Sequence, residues 1–175
     1  MPLTLIKEDG TGRSDANSYA SVADGDSFFA GHLYADLWLA PANSARLEPA
    51  LVMATRLIDS EWQFHGHRAV AGQALQWPRA DCPDPDGEAG AGVAEDAVPV
   101  AIVNAACQMA LKLLQTDRTV DPTGEGIWSE WTEFTGKKYD ATTRRPVLPP
   151  WVQSWLLKYG VPIRKTGGMV KLVRV

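Results

Sequence analysis

The stretch VAIVNAACQMALKLLQ, residues 100 to 115, limits the fold more than any other part of the chain. It reads as a helix that is apolar almost all round, and such a helix is stable in water only when neighbours cover every side. Pro99 stands where a proline costs least, because its missing N–H would have no intrahelical partner. Ala101, Ala105, Ala106 and Ala110 leave room for neighbours to approach closely. The spacing therefore predicts a mainly α fold, a small helical bundle built around this segment.

The covering helices follow from the same period. From Ser44 to about Trp62, Leu47, Leu51, Ala54, Ile58 and Trp62 form one apolar stripe, with Pro49 near the first turn. In SYASVADGDSFFAGH, Ser21 caps a helix, Asp24 is the acidic half of a capping box, and Gly31 ends it. PPWVQSWLLKYG gives a last short helix, begun by Pro150 and ended by Gly160. The expected spans are 22–31, 45–61, 99–115 and 150–158, with Leu51, Ile58, Val103, Cys107, Met109 and Leu114 buried. LTLI, residues 3–6, reads as a short strand, and the Gly-, Pro- and Asp-rich run from His65 to Pro99 as loop. IWSEWTEFTGKKYD reads as two short strands or an ordered excursion around a Thr-Gly turn. The organisation expected is one helical domain over 1–160 with a β-hairpin or strand-like excursion at about 124–146, then an extended C-terminal arm, 161–175.

Charge is segregated. Residues 1–140 hold all 21 acidic side chains against ten basic ones, a net −11, whereas 141–175 hold seven basic side chains and no acid. A duplex reader normally carries a basic stripe on its folded body, so this distribution argues against one and permits a basic arm reaching an acidic partner. No run approaches the roughly 18 to 20 apolar residues of a membrane span. Lys7, Glu8 and Asp9 interrupt the first ten residues, which predicts no signal peptide and a cytoplasmic chain. Cys82 and Cys107 form no framework or zinc spacing and are expected to be free thiols.

Motifs that invite chemistry are incomplete. His65-Gly66-His67 offers two imidazoles without a third ligand at defined spacing. DPDGE, with Asp84, Asp86 and Glu88, resembles the start of a calcium loop that Pro85 and the missing downstream ligands break. The glycines of DGTGR and PTGEG suggest phosphate loops, yet no Lys-Ser/Thr follows either. No G-x-S-x-G occurs, and three scattered histidines give no triad, so no catalytic residue, metal or cofactor is expected.

Seven tryptophans carry more information. Trp62 and Trp77 follow apolar patterns and are expected in the core; Trp128, Trp131, Trp151 and Trp155 lie near excursions where burial can be intermolecular. Aromatic platforms also stack single-stranded bases, the rival reading. The excursion around Trp128, Trp131, Phe134, Lys137 and Lys138 is assigned as an intermolecular surface. Trp77-Pro78-Arg79 is assigned a structural role, Pro78 holding Trp77 extended so that the indole plugs the bundle while Arg79 turns outward to an acidic or carbonyl group.

Asn17-Ser18-Tyr19, Ser21-Val22-Ala23-Asp24, Gln76-Trp77-Pro78-Arg79, Asp86-Gly87 and Val98-Pro99 together resemble a bacteriophage and prophage family of head-tail connector proteins, over residues 3 to about 115. Many of its members carry the label DnaT-like single-stranded-DNA-binding. The resemblance implies a structural adaptor of the virion neck, assembled in the host cytoplasm. It implies a ring, typically of twelve copies, that joins the portal protein to a tail-side neck or tail protein and lets DNA pass through its lumen without sequence-specific contact, with the 124–146 excursion facing an adjacent subunit or the tail-side neighbour. An acidic body suits such a lumen, because it repels phosphate. The alternative is a single-stranded-DNA-binding accessory protein of replication.

The chain closes on GGMVKLVRV, where Met169, Lys171, Val173 and Val175 alternate with Val170, Leu172 and Arg174 in the period of a strand. Two readings stay open. Ile163 to Thr166 can pair back across Gly167-Gly168 as a local hairpin, or Met169 to Val175 can add as a strand to a sheet edge in the portal or an adjacent subunit.

Overall fold

The computed structural model describes residues 3–88, 90–120, 129–131, 136–138 and 145–163. In chain order the elements are α1 (Val22–Phe29), α2 (Asp36–Leu39), a 3-10 turn (Pro41–Asn43), α3 (Ser44–Glu61), β1 (Trp62–Phe64), β2 (His67–Arg68), β3 (Arg79–Ala80), α4 (Val100–Gln115), β4 (Ser129–Trp131), β5 (Gly136–Lys138), α5 (Pro150–Leu156) and β6 (Gly160–Pro162). The fold is mainly helical, with three antiparallel two-stranded pairs among the described residues, β1–β6, β2–β3 and β4–β5. No helix among the described residues is long and apolar enough to cross a membrane.

α4 takes the central place its composition demands, packing against α1, α2, α3 and α5. Ile102, Ala105, Ala106, Met109 and Ala110 are fully buried, as are Leu51 and Ile58 of α3. Val103 is only partly covered. The capping box of α1 is formed: the Asp24 N–H donates to Ser21 Oγ (3.2 Å), and the Asp24 carboxylate accepts from the Ser21 N–H (2.7 Å). Gly25 lets α1 lie against the buried Trp38, since a Cβ there would stand 2.1 Å from the indole.

Several local expectations fail for identifiable reasons. LTLI forms no strand; the Ile6 amide donates to the Asn17 side chain (2.8 Å), and the ladder contact nearby is reduced to the Lys7–Ser18 bridge. Pro49 lies inside α3, beyond the first turn, and the helix runs through it at the loss of one intrahelical bond. Trp62, read as the end of a helix, instead begins a strand with Gln63 and Phe64, because Gly160–Pro162 pairs with them. Val161 and Pro162, expected in the arm, thus belong to the body. α5 stops at Leu156, and a turn through Tyr159 leads into β6.

A buried polar knot joins these parts. The Tyr19 hydroxyl donates to Asp59 Oδ1 (2.5 Å) and accepts from the Gln76 and Trp77 N–H groups (3.1 and 3.2 Å), while Asp59 Oδ2 also accepts from the Gln76 N–H (3.1 Å). Trp77, followed by a cis bond to Pro78, is fully buried and meets Phe64 and Tyr159 edge-on at 5.7 and 5.8 Å between ring centroids. Arg79 turns inward, contrary to expectation. Its guanidinium donates to the carbonyls of His65 (2.6 Å), Gly66 (2.7 Å) and Gln76 (3.0 Å), which satisfies both the charge and a bend that has no ladder of its own.

Two measurements test this arrangement. Trp77→Ala should cost about 3 to 5 kcal/mol of unfolding free energy in urea, as expected for a large buried aromatic; an unchanged melting temperature would contradict the packing. Burial pushes the Asp59 carboxyl up to about 6, against the Tyr19 and Gln76 hydrogen bonds that pull it down. Its folded value lies above the unfolded one, so its contribution is fully present below about pH 4 and is lost as pH rises through 6. Between pH 4 and 7 the wild-type chain should lose about 2 kcal/mol relative to Asp59→Asn, since each tenfold change in proton affinity is worth about 1.4 kcal/mol. Parallel pH responses of the two proteins would show that Asp59 titrates normally.

Candidate functional site

The loop motifs of the sequence are consumed by the fold. In DGTGR the amides of Gly10, Gly12 and Arg13 converge as a phosphate loop's would, but they hold the chain's own carboxylate: Glu8, buried, accepts from all three at 3.0 Å. Gly10 and Gly12 adopt φ of 99° and 74°, which lets the backbone wrap this side chain. Asp84 Oδ1 accepts from the Asp86 N–H (3.1 Å), and Asp86 pairs with Lys158 (2.7 Å), so two carboxylates of DPDGE serve a turn and an ion pair. His67 Nδ1 faces Asp81 at 3.5 Å on the surface. Cys82 and Cys107 are free and buried, and burial raises the Cys107 thiol to about 12, where a thiolate does not form at neutral pH. PTGEG lies outside the described residues.

Of the partner-binding residues expected from sequence, Trp128, Phe134 and Met169, Val170, Lys171, Leu172, Val173, Arg174 and Val175 also lie outside the described residues. Trp131, Lys137 and Lys138 fall on the paired strands β4 and β5, where Trp131 is opposite Gly136 and Glu130 opposite Lys137. Trp77, Pro78 and Arg79 are interior. Among the described residues, no one site gathers these groups.

A different set of residues does converge. α5 buries Val152 and Leu156, one turn apart, and thereby turns Trp151 and Trp155, also one turn apart, toward the surface, where they are 44% and 38% exposed. They face the outer stripe of α4, Gln108, Lys112 and Gln115, at helical spacing above the buried Leu111. His32 and Tyr34, on the turn after α1, close the other wall. His32 is seated edge-on against Phe29, at 5.6 Å between centroids, and its Nδ1 accepts from the Tyr34 N–H (3.1 Å). Tyr34 itself is 74% exposed. The result is an open groove of about 470 Å³. Lys112 Nζ donates to Gln115 Oε1 (3.2 Å), which keeps an ammonium and a carboxamide at its rim.

The electrostatics of the groove invert those of the chain around it. None of the described residues that line it is acidic, although residues 1–140 carry a net −11. Just past the end of α4, the Arg118 guanidinium reaches the Pro146 and Val147 carbonyls and Arg145 reaches the Val120 carbonyl (3.1 Å), so two further cations fasten the segments that flank α4 and α5. Such a groove can stack planar rings, offer one cation to an anion, and hydrogen-bond through two carboxamides. Sequence reasoning singled out Trp151 and Trp155 but not His32, Tyr34, Gln108, Lys112 or Gln115. The legible signal was the polar stripe at positions 108, 112 and 115 of an otherwise apolar helix.

A family model described as "Putative DnaT-like ssDNA binding protein" matches residues 3–175. No curated protein and no solved structure matches the chain.

Proposed function

The chain belongs to that DnaT-like family, and from this premise we propose that it binds single-stranded DNA in the groove between α4, α5 and the 32–34 turn. The observation that carries the reading is three exposed aromatic rings, Tyr34, Trp151 and Trp155, around a lysine and two glutamines with no carboxylate among the described residues that line the groove. Every base has a π-face, so such rings hold single strands without regard to sequence. Lys112 serves a backbone phosphate, and Gln108 and Gln115 meet whichever base edges are presented. A duplex hides its base faces in its own stack, and the acidic remainder of the body repels it. The protein acts by binding alone, without catalysis or cofactor.

A second reading is supported by the apolar side chains exposed on these segments and their neighbours, Leu33 and Leu39 on one side, Leu157 and Val161 on the other. Exposed apolar side chains of this kind suit contact with another protein. In that reading the chain is a head-tail adaptor of the virion neck, in a ring between the portal and a tail-side component.

One titration separates the two. Fluorescence anisotropy of a labelled oligothymidine at physiological salt should give saturable binding. Its salt dependence should be shallow, with a log–log slope of about −0.7 per phosphate contacted. Trp155→Ala should weaken binding by about 1 to 3 kcal/mol, roughly 5- to 150-fold, with the melting temperature little changed because the ring is part-exposed. Absence of binding, or binding indifferent to the loss of both Trp151 and Trp155, would overturn the single-strand reading; in the first case recovery of the protein in purified virions would establish the adaptor.

A further inference from the structure

On the other side of Trp155 a second groove of about 440 Å³ opens between α4, α5 and the 84–94 loop. Val93, Trp155 and Tyr159 give it an apolar lining, and Val100, 72% exposed on the first turn of α4, stands at its edge. Asp84 and Asp86 supply its negative charge, and Lys158 lines it as well. Asp86 holds Lys158 at 2.7 Å, but the two side chains are 66% and 50% exposed. A pair so well solvated contributes little, and an incoming cation can replace Lys158 at little cost.

The complement to an apolar groove with two carboxylates is an extended segment of alternating apolar and cationic side chains without acid. Residues 164–175, RKTGGMVKLVRV, have that composition: Arg164, Lys165, Lys171 and Arg174 among Met169, Val170, Leu172, Val173 and Val175. We propose that the groove receives this segment from a second copy of the chain. Strand β6 carries the chain from Tyr159, in the groove wall, through roughly 13 Å of extended backbone to Ile163, whose N–H bonds to the Glu61 carbonyl at the end of α3 (2.9 Å). The segment that follows is long enough, up to roughly 40 Å when extended, to span to a neighbour. Each copy gives one segment and receives one, a head-to-tail contact of the kind that closes rings or builds filaments. This inference is independent of DNA binding.

Sedimentation velocity of the full chain at low salt tests it. Self-association that strengthens with concentration is expected. Asp86→Lys should weaken it by roughly tenfold or more, and so should Lys171→Glu combined with Arg174→Glu, because each sets like charges against each other. Both proteins should keep the wild-type helical circular dichroism, since Asp86 is exposed and the other two positions lie beyond β6. An equimolar mixture should regain association, the reversed segment of one pairing with the reversed groove of the other and the two unaltered partners with each other. A chain that stays monomeric at every concentration, association that neither variant weakens, or a mixture that fails to recover would each overturn the proposal.

Discussion

Asp59 stands where three segments far apart in sequence meet: the strap before α1, the last turn of α3, and the loop before β3. Its two oxygens take the Tyr19 hydroxyl and the Gln76 amide, and Tyr19 in turn takes the amides of Gln76 and Trp77. A largely buried carboxylate is costly, and here the neighbouring donors offset part of the cost without abolishing it, which is why its proton affinity rises. What the knot secures is Trp77. The indole touches Phe64 on β1 and Tyr159 at the end of α5, so the strand pair β1–β6 and the last helix are registered against it. Arg79 completes the frame by gathering the carbonyls of residues 64–66 from within. The orientation of α5 follows, and with it the outward turn of Trp151 and Trp155.

The helices were legible because each carries its own 3.6-residue pattern and local start signals; the capping box at Ser21 and Asp24 and the all-round apolar α4 needed no tertiary knowledge. The strands were not. β1 and β6 have three residues each and lie almost a hundred positions apart, too short for alternation to register and too distant for a turn signal to join them. The inward course of Arg79 was hidden for a related reason: its partners are carbonyls, which every residue carries, so no sequence pattern marks them. The groove was half legible. Its tryptophans stood out by type, but Tyr34 and Lys112 enter from other segments, and only the packing of α1 and α5 on α4 brings them together.

The motifs singled out in the sequence and the groove proposed to bind single strands are built from different residues of this chain. Asn17, Ser18 and Tyr19 tie the N-terminal strap, Ser21 and Asp24 cap α1, and Gln76 to Arg79 build the knot and its frame. These motifs specify an architecture. None of them lines the aromatic groove, whose chemistry must be argued from its own side chains. The charge pattern makes the same point physically. A strongly acidic body would be a poor polyanion binder if its surface were uniform, but the groove is free of acids among its described residues, and the single-strand binding proposed for it would rest chiefly on stacking, which the surrounding charge opposes only weakly.

The tryptophans supply their own probes of this account. Two-dimensional 15N–1H spectra of the full chain contain an indole N–H resonance for each of the seven, assignable by single Trp→Phe replacements. On titration with an unlabelled oligothymidine, the resonances of Trp151 and Trp155 should move together and saturate, while those of the buried Trp38, Trp62 and Trp77 stay in place. Shifts confined to other indoles, or none at all at saturating oligonucleotide, would contradict the claim that the groove on α4 and α5 is where single-stranded DNA is held.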